Sequence, residues 1–398
     1  MKKLLLASAA VALCAGAASA EEVKLGILIG FTGPIESLTP AMAAASEMAM
    51  KEATDSGKLL DGATVVSVRG DSTCGDSAAG TAAAERLVTA DKVQGIIGGD
   101  CSGVTGAVLQ NVARPNGMVM ISPSATSPAL TTAEDDGLFF RTAPSDAREG
   151  EVMAETLVEK GIKSIALTYT NNDYGKGLAE AIANSFTAKG GTVTINAAHD
   201  DGKADYSSEV AALAAAGGDI LVVAGYLDQG GKGIIQASLD TGAFSTFGLP
   251  GGMIGDSLPT AIGAGLNGSW GQIAGSDSAG AAKFEEMMKA GGFDGTSAYS
   301  PESYDAAALI ILAMQAAKST DPKVYKDKVM EIANGPADGS GEKIYPGDIG
   351  KALELIAAGK PVDYEGATAV TLIRPGESAR RYRLIEVQDG KNVTVGWK

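Results

Sequence analysis

The chain has very little histidine and cysteine, and this scarcity removes most catalytic and metal-binding chemistry from consideration. Its 398 residues include one His, His199, and three Cys. Ser-His and Cys-His nucleophilic systems and His-based metal sites therefore lack their reagents. His199 lies among Asp200, Asp201 and other polar residues, a stretch that we predict to be solvated surface after a strand. We expect no catalytic residue, no metal site and no cofactor.

Phosphate-binding and nucleophile motifs are also missing. No P-loop Gly-Lys-Ser/Thr occurs, and the glycine-rich stretch 225–231 lacks the dinucleotide spacing. Ser102 has Asp100 and Val104 where a nucleophile elbow needs glycines. A hydrolase would rest on Ser102 alone, so the inventory favours a binding protein over an enzyme.

Positive charge is scarce as well. The sequence has 32 Lys and Arg against 48 Asp and Glu, a formal net charge of −16. Nucleic acids and anionic membranes both reward positive charge, so neither is expected as a partner. After the first twenty residues, no apolar run approaches the roughly 20 residues that cross a bilayer.

The first twenty residues have the composition of a secretory signal. Lys2 and Lys3 precede an apolar run, and Ala18-Ser19-Ala20 supplies the small-residue ending. We predict cleavage after Ala20 and a soluble, exported product. Cys14 leaves with this segment, and the residue before it is not a small one, which disfavours a lipid anchor at this cysteine.

Two cysteines, Cys74 and Cys101, remain after the predicted cleavage. An exported chain reaches a compartment that permits disulfides. We predict that the two are bonded, pinning the loop after the second strand to the loop at 98–102. Two reactive thiols in denaturant would instead indicate unpaired cysteines.

Strands and helices alternate along most of the chain, which predicts parallel sheets with helices on both faces. A second such series opens after residue 142, with Ser145 as the N-cap of its first helix. From about Gly275 the pattern turns helical, and strands return near the C-terminus, the last two joined by an Asp389-Gly390 hairpin turn. The chain is therefore expected to cross between two α/β halves more than once. The predicted strands are 23–29, 64–68, 93–97, 118–121, 138–141, 164–168, 192–197, 220–224, 245–248, 368–373, 382–388 and 392–395.

Two strand-end loops of the first half carry small hydroxyl residues. One strand runs through Gly98-Gly99 to Ser102 at a helix start, and the next runs into Ser122 and the segment 123–128. Neighbouring parallel strands end at one edge of a sheet, where ligands bind. A helix start with free N–H groups and a hydroxyl suits a carboxylate. Either loop alone is better explained as a simple turn and helix cap, but the two together favour a ligand site.

Several tyrosines follow strands or flank helix starts, namely Tyr174, Tyr226, Tyr299 and Tyr304. A tyrosine offers an apolar wall with one hydroxyl, which suits a small amphipathic ligand. For each one alone, packing between the two halves is an equal alternative.

In combination these residues resemble the periplasmic substrate-binding proteins of ABC importers, of the leucine/isoleucine/valine-binding type. The resemblance runs from Val23 to the C-terminus. Its motifs are Gly33-Pro34, the pair Cys74 and Cys101 with Ser102 next to the latter, the segment 121–128, and Asp173-Tyr174-Gly175 followed by Gly177.

The resemblance implies a type I periplasmic binding protein fold, with two doubly wound parallel-sheet lobes joined by a three-segment hinge. We place the first lobe at 21–142 plus 273–361 and the second at 143–272 plus 362–398. It also implies a periplasmic location, a small-molecule ligand, a membrane permease as partner, and no cofactor. We expect a monomer.

The resemblance further implies particular ligand contacts. Ser102 and Thr126 would bind the ligand carboxylate with hydroxyls and backbone N–H groups. The other implied contacts are the backbone of Ser124 and Ala125, the second-lobe residues Tyr174 and Tyr226, and Tyr299 in the side-chain pocket.

The chain departs from the family pattern where a glutamate meets the ligand ammonium. That glutamate follows a proline, and here Gly251 follows Pro250. An aromatic residue often found near Leu38 is also missing. A buried ammonium needs a carboxylate partner. Either a nearby acid substitutes, the candidates being Asp228, Asp256 and Glu302, or the ligand is not an α-amino acid.

We therefore expect an exported, non-enzymatic protein that captures a small carboxylate-bearing solute for an ABC importer. The first candidate for this solute is a branched-chain or other apolar amino acid. One alternative keeps the fold and changes the ligand to an amide, a urea-like compound, an aromatic acid or a sulfonate. Another is a sensor that passes lobe closure to a signalling partner.

Overall fold

The structure is a computed structural model that describes residues 21–379 and 381–398. The predicted export signal therefore lies outside the described residues. Among the described residues, seven strands form the sheet of the first lobe: β1 (Glu22–Ile29), β2 (Thr64–Asp71), β3 (Ile96–Gly98), β4 (Met120–Ser122), β5 (Phe139–Arg141), β13 (Leu372–Ile373) and β14 (Glu377–Ser378).

The first sheet has the strand order β13-β14-β5-β4-β3-β1-β2, and only β13 and β14 pair antiparallel. Its central strands β3, β4 and β5 are buried along their whole length. Burial on both faces explains why they are continuous apolar runs rather than alternating ones. Because the strands run parallel, the carboxyl ends of β1, β3 and β4 lie at one edge.

A second seven-stranded sheet forms the other lobe, in the order β16-β15-β10-β9-β8-β6-β7. The pairs β10–β15 and β15–β16 are antiparallel, and the other pairs, including β9–β10, are parallel. The β15–β16 hairpin turns at Asp389 and Gly390, as predicted. The bounds are β6 (Ser164–Thr170), β7 (Thr192–His199), β8 (Ile220–Ala224), β9 (Phe247–Leu249), β10 (Trp270–Gly275), β15 (Arg381–Gln388) and β16 (Lys391–Trp397).

Helices cover both faces of each sheet. A separate two-stranded sheet pairs β11 (Glu342–Ile344) with β12 (Val362–Tyr364). The helices are α1 (Thr39–Ser56), α2 (Ser77–Thr89), α3 (Ser102–Val108), α4 (Arg114–Asn116), α5 (Asp146–Glu159), α6 (Asp173–Ala188), α7 (Ser207–Ala216), α8 (Gly230–Thr241), α9 (Ser257–Ile262), α10 (Ala279–Ala290), α11 (Ser300–Ala317), α12 (Pro322–Asn334) and α13 (Ile349–Ala357).

Helix α11 is buried from Ser300 to Gln315 except for the partly exposed Pro301. It packs against α1, α12 and α13 as well as the sheet strand β4. From Ala306 to Met314 the helix is apolar on every side, as expected for a helix in the interior. In the described part of the chain, no helix is both long and apolar enough to cross a membrane.

The chain passes between the lobes three times: after β5, after β10 and between β14 and β15. The third crossing comes later than predicted, because β13 and β14 belong to the first sheet. Residues 372–378, predicted to lie in the second lobe, are therefore corrected to the first. The second crossing also follows Gly275 rather than residue 272.

His199 is not solvated surface, and that expectation is corrected. It ends β7 with 2% of its surface exposed, and its Nδ1 lies 2.9 Å from the Thr168 hydroxyl. Burial lowers its pKa to about 4, so the ring is neutral at pH 7. Cys74 and Cys101 form a disulfide, which ties the loop after β2 to the start of α3.

Candidate ligand site between the lobes

The two hydroxyl-rich loops of the first lobe meet at the sheet edge. The Ser102 hydroxyl accepts a 3.1 Å hydrogen bond from the Ser127 backbone N–H. The Ser122 hydroxyl accepts one of 2.9 Å from the Ala125 N–H and curls the second loop. Ser102 and Thr126 are both buried. The structure therefore brings Ser102 and the segment from Ser124 to Thr126 together.

Asp100 fixes this edge from inside the first lobe. One of its carboxylate oxygens accepts a 2.6 Å bond from the Gly30 N–H and the other a 2.7 Å bond from the Ser72 hydroxyl. Its backbone carbonyl accepts a 2.9 Å bond from the Ser124 hydroxyl. Burial raises the pKa of Asp100 above its ordinary value. One side chain thus connects the ends of three strands.

Arg141 lies beneath the loop of residues 123–128, on the side of the lobe interior, and is 1% exposed. Its guanidinium donates to the carbonyl oxygens of Ser127, at 2.9 Å, and Ala125, at 3.3 Å. The same group forms an ion pair with Glu377 on β14. The short strands near the C-terminus therefore help to position the loop that carries Thr126.

The second lobe contributes a stacked pair of tyrosines. The rings of Tyr174 and Tyr226 lie 5.1 Å apart at an angle of 17°. The Gly252 N–H donates a 3.0 Å bond to the Tyr174 hydroxyl. Burial raises the pKa of both phenols well above its ordinary value, so both stay protonated. Tyr174 sits in the first turn of α6, which Asn172 caps by accepting from the Gly175 N–H.

Gly251, where the family resemblance calls for glutamate, lies against Tyr299 and Glu149. A Cβ on residue 251 would stand 2.6 Å from the Tyr299 hydroxyl and 3.6 and 3.7 Å from the two Glu149 carboxylate oxygens. The Gly251 N–H donates a 2.8 Å bond to Glu149. The carboxylate of Glu149 therefore occupies the space beside a residue that has no side chain.

Asp146 lies one helical turn before Glu149 on α5, which places both carboxyls on one face. Asp146 is 0% exposed and Glu149 2%. Burial raises the pKa of Asp146 to about 7, and burial together with the Asp146 charge raises that of Glu149 well above its ordinary value. The Asp146 N–H donates a 2.8 Å bond to the Thr126 carbonyl. The acidic pair thus adjoins the hydroxyl-bearing loop.

Several buried polar atoms of this region have no well-formed hydrogen bond among the described residues, although Thr126 adjoins Asp146 and Tyr226 adjoins Asn172. They are the Thr126 hydroxyl, both carboxylate oxygens of Asp146, the Tyr226 hydroxyl and the Tyr382 hydroxyl. Leaving such groups unpaired in the interior costs about 1–3 kcal/mol each. The first lobe thus offers the Thr126 hydroxyl, and the second lobe offers two phenol hydroxyls and the Asp146 carboxylate.

The three acids that we predicted as ammonium partners lie elsewhere. Asp228 accepts from the Ser37 N–H at 2.9 Å and the Ser257 hydroxyl at 2.6 Å, which makes it a link between the lobes at the rim. Asp256 precedes α9 and is exposed. Glu302 is buried in α11, where its carbonyl accepts from Thr142. The atoms nearest to a Cβ at Gly251 belong to Tyr299 and Glu149 and to none of these three acids.

The sequence reasoning missed Asp146 and Glu149. Acidic residues in the first turn of a helix are common because they complement the helix dipole. One signal was present: these two follow the first crossing segment, so their helix had to begin beside the cleft. Within the described residues, His, Cys, Asp and Glu side chains form no group that could hold a metal ion.

Two α/β lobes linked by three crossings, with a buried polar site between them, define a type I solute-binding fold. Residues 22–334 match the family model described as periplasmic binding protein, and the chain belongs to that family. This confirms the predicted family and fold.

The chain is 30% identical to Leu/Ile/Val-binding protein homolog 1 of Brucella abortus (strain 2308), over 82% of this chain and 89% of that protein. It also resembles the crystal structure of leucine binding protein LivK from Thermotoga maritima, with a TM-score of 0.78, 20% identity, and coverage of 94% and 98% of the two chains.

A solute binding protein from R. palustris, solved in complex with benzoate, gives a TM-score of 0.75 at 20% identity and covers 94% of this chain and 96% of that one. At such identities the likeness concerns the fold. The relative and both structures are binding proteins, and this chain is a solute-binding protein rather than an enzyme.

Proposed function

We propose that the protein binds a small carboxylate-bearing solute between its lobes and delivers it to the membrane permease of an ABC importer, working in the periplasm after cleavage of its export signal. An apolar amino acid of the branched-chain type is the first candidate ligand. The name of the Brucella relative, a Leu/Ile/Val-binding protein homolog, supports this choice.

One observation carries the proposal: the Ser102 hydroxyl and the Thr126 loop meet in a buried edge of the first lobe. Because Ser102 accepts from the Ser127 N–H, its own proton remains available for a ligand. Thr126 has a buried hydroxyl that adjoins the Asp146 carboxyl without a well-formed hydrogen bond. Two hydroxyl donors that converge in a place shielded from water suit a carboxylate.

The second lobe would complete the site. Tyr174 and Tyr226 form an apolar wall with two hydroxyls, and Tyr299 stands beside them near Gly251. A ligand that contacts both lobes at once favours the closed arrangement over an open one. Closure would then be the signal that a permease reads.

Titration calorimetry with L-leucine, L-isoleucine and L-valine tests the proposal. Ser102→Ala and Thr126→Val should each weaken binding by about 1–3 kcal/mol, since each removes a donor to a charged group. Ser208→Ala on the exposed face of α7 is the matched control and should leave binding unchanged. Unchanged affinity in both site variants would refute this placement of the carboxylate.

An aromatic acid is the second candidate ligand. The R. palustris neighbour was solved with benzoate, which has a carboxylate and no ammonium. The same calorimetric series with benzoate separates the two candidates. If benzoate binds more tightly than every amino acid tested, the first candidate is wrong while the role of Ser102 stands.

A further inference from the structure

We propose that Glu149, together with Asp146, forms the ammonium-binding half of the ligand site and takes the place of a side chain that Gly251 lacks. This rests on the proposed function, because it assigns the second charged group of the same ligand. The solute class that follows is an α-amino acid rather than a simple carboxylic acid.

The first argument is the space beside Gly251. The nearest side-chain atoms to a Cβ at this position are the Tyr299 hydroxyl and the two Glu149 carboxylate oxygens. A larger residue would therefore collide with Tyr299 and crowd Glu149. Glycine leaves this volume open to the carboxylate that enters from α5. The carboxylate beside the residue 251 backbone is thus supplied by Glu149 rather than by residue 251 itself.

The second argument is that Asp146 has no cation of its own. Both of its carboxylate oxygens are buried without a well-formed hydrogen bond among the described residues, and the side chains that adjoin them are the neutral Thr126 hydroxyl and the acidic Glu149. The cation that acts on it is Arg141, whose guanidinium is already ion-paired with Glu377 and bound to two carbonyls. Two adjoining buried carboxyls repel each other when both are ionised. An ammonium with three donors satisfies both.

The third argument is the distance between the two halves of the site. Asp146 donates its backbone N–H to the carbonyl of Thr126, so the acidic pair begins beside the loop that offers the hydroxyl. The acceptors and donors therefore lie within one small volume. An α-amino acid carries its ammonium and carboxylate on a single carbon, and this geometry fits such a pair of neighbouring charges.

The groups that face the acidic pair come from several elements. They are Arg141 on β5, the Thr126 hydroxyl on the loop after β4, Tyr174 on α6, Tyr226 after β8, Tyr299 before α11 and Tyr382 on β15, while Gln272 on β10 donates to the Glu149 carbonyl. The phenols are protonated and the guanidinium is paired. Asp146 therefore changes charge near neutral pH, and its charge acts on Glu149, whose pKa is raised in the same direction.

The test compares amino acids with their deamino analogues. Calorimetry would use L-leucine against 4-methylpentanoate and L-phenylalanine against 3-phenylpropanoate, with the wild type, Glu149→Gln and Asp146→Asn. Each variant should weaken the amino acids about 10- to 100-fold and leave the deamino acids unchanged or tighter. Glu151→Gln, an exposed position on the same helix, is the matched control.

Ser102→Ala separates this inference from the proposed function. If Ser102→Ala weakens both ligand types while Glu149→Gln and Asp146→Asn weaken neither or weaken both equally, the ammonium site is wrong and the carboxylate site stands. If Ser102→Ala changes nothing, the proposed function itself fails.

A measurement on the wild type guards against variants that do not fold. Binding of an ammonium favours the ionised pair, so the affinity for the amino acids should rise between about pH 5.5 and 8. Binding of a deamino acid should weaken over the same range, because its carboxylate approaches carboxyls that are losing protons. Parallel pH profiles for the two ligand types would overturn the inference.

Discussion

The backbone N–H of Gly251 donates a 2.8 Å hydrogen bond to the carboxylate of Glu149, two residues that lie 102 positions apart in the chain. The buried Glu149 carboxylate therefore lies directly against the Gly251 backbone in the cleft between the lobes. This contact joins the second-lobe turn after β9 to the helix that follows the first crossing.

A side chain at residue 251 should disturb ligand binding more than folding. Gly251→Ala puts a Cβ 2.6 Å from the Tyr299 hydroxyl, so that ring must shift. We expect roughly 10-fold weaker ligand binding, since a displaced ring loses its own contact. Adding Tyr299→Phe removes the collision and should recover part of the loss in calorimetry. Additive effects of the two changes would contradict this account.

The stability of the ligand-free protein should fall as the pH rises from about 4 to about 7. Asp146 has a folded pKa of about 7 against an ordinary value of 3.8, so its contribution is full below about pH 4 and lost above 7. The free energy of unfolding, measured with urea, should therefore fall between pH 5 and pH 8 by about 1–3 kcal/mol more in the wild type than in Asp146→Asn. Identical pH profiles would show that Asp146 is ionised throughout.

Removing the rim contact of Asp228 should weaken every ligand by a similar factor. Its carboxylate accepts from Ser37 in the opposite lobe, and its backbone N–H donates to the Pro34 carbonyl at 3.1 Å. Asp228→Ala should cost about 3- to 10-fold in affinity by making lobe contact less favourable. The exposed Asp256→Ala serves as control. If affinity fell only for ligands that carry an ammonium, Asp228 would instead be an ammonium partner.

Neutralising Glu377 should destabilise the first lobe. The buried Arg141 guanidinium would keep its carbonyl contacts and lose its counter-charge, at a cost of about 3 kcal/mol in urea unfolding. Glu134→Gln provides the comparison, because Glu134 pairs with Arg114 at the surface with 83% of its side chain exposed. That change should cost under about 1 kcal/mol. Equal losses would mean that the Glu377 pair is solvated.

The alternation of strands and helices could be predicted because buried parallel strands leave apolar runs such as Ile96 and Ile97 in β3. Strand β10 could not, since Gly271 and Gly275 break its pattern. Gly271 is required by the tertiary structure, as a Cβ there would stand 1.9 Å from the Leu249 carbonyl oxygen. Contact of that kind is invisible in local sequence.

The carboxylate side of the site could be predicted from residues at strand ends, where sequence order and spatial position coincide. The acidic side could not, because Glu149 meets Gly251 only through the tertiary fold of the second lobe. Glu377 is similar: its two-residue strand has no periodic signal, and its place in the first sheet depends on Arg141. His199 was misjudged because its sequence neighbours are polar while its ring points inward.

The position of β13 to β16 has a consequence for anyone who wishes to dissect the molecule. Each sheet is built from two segments that are separated in the sequence by strands of the other sheet. The first sheet uses strands from 22–141 and 372–378, and the second uses strands from 164–275 and 381–397. No single cut of the chain therefore releases an intact lobe. A separately expressed half would need its distant strands spliced on, and circular permutation at a surface loop is the more promising way to place a reporter between the lobes.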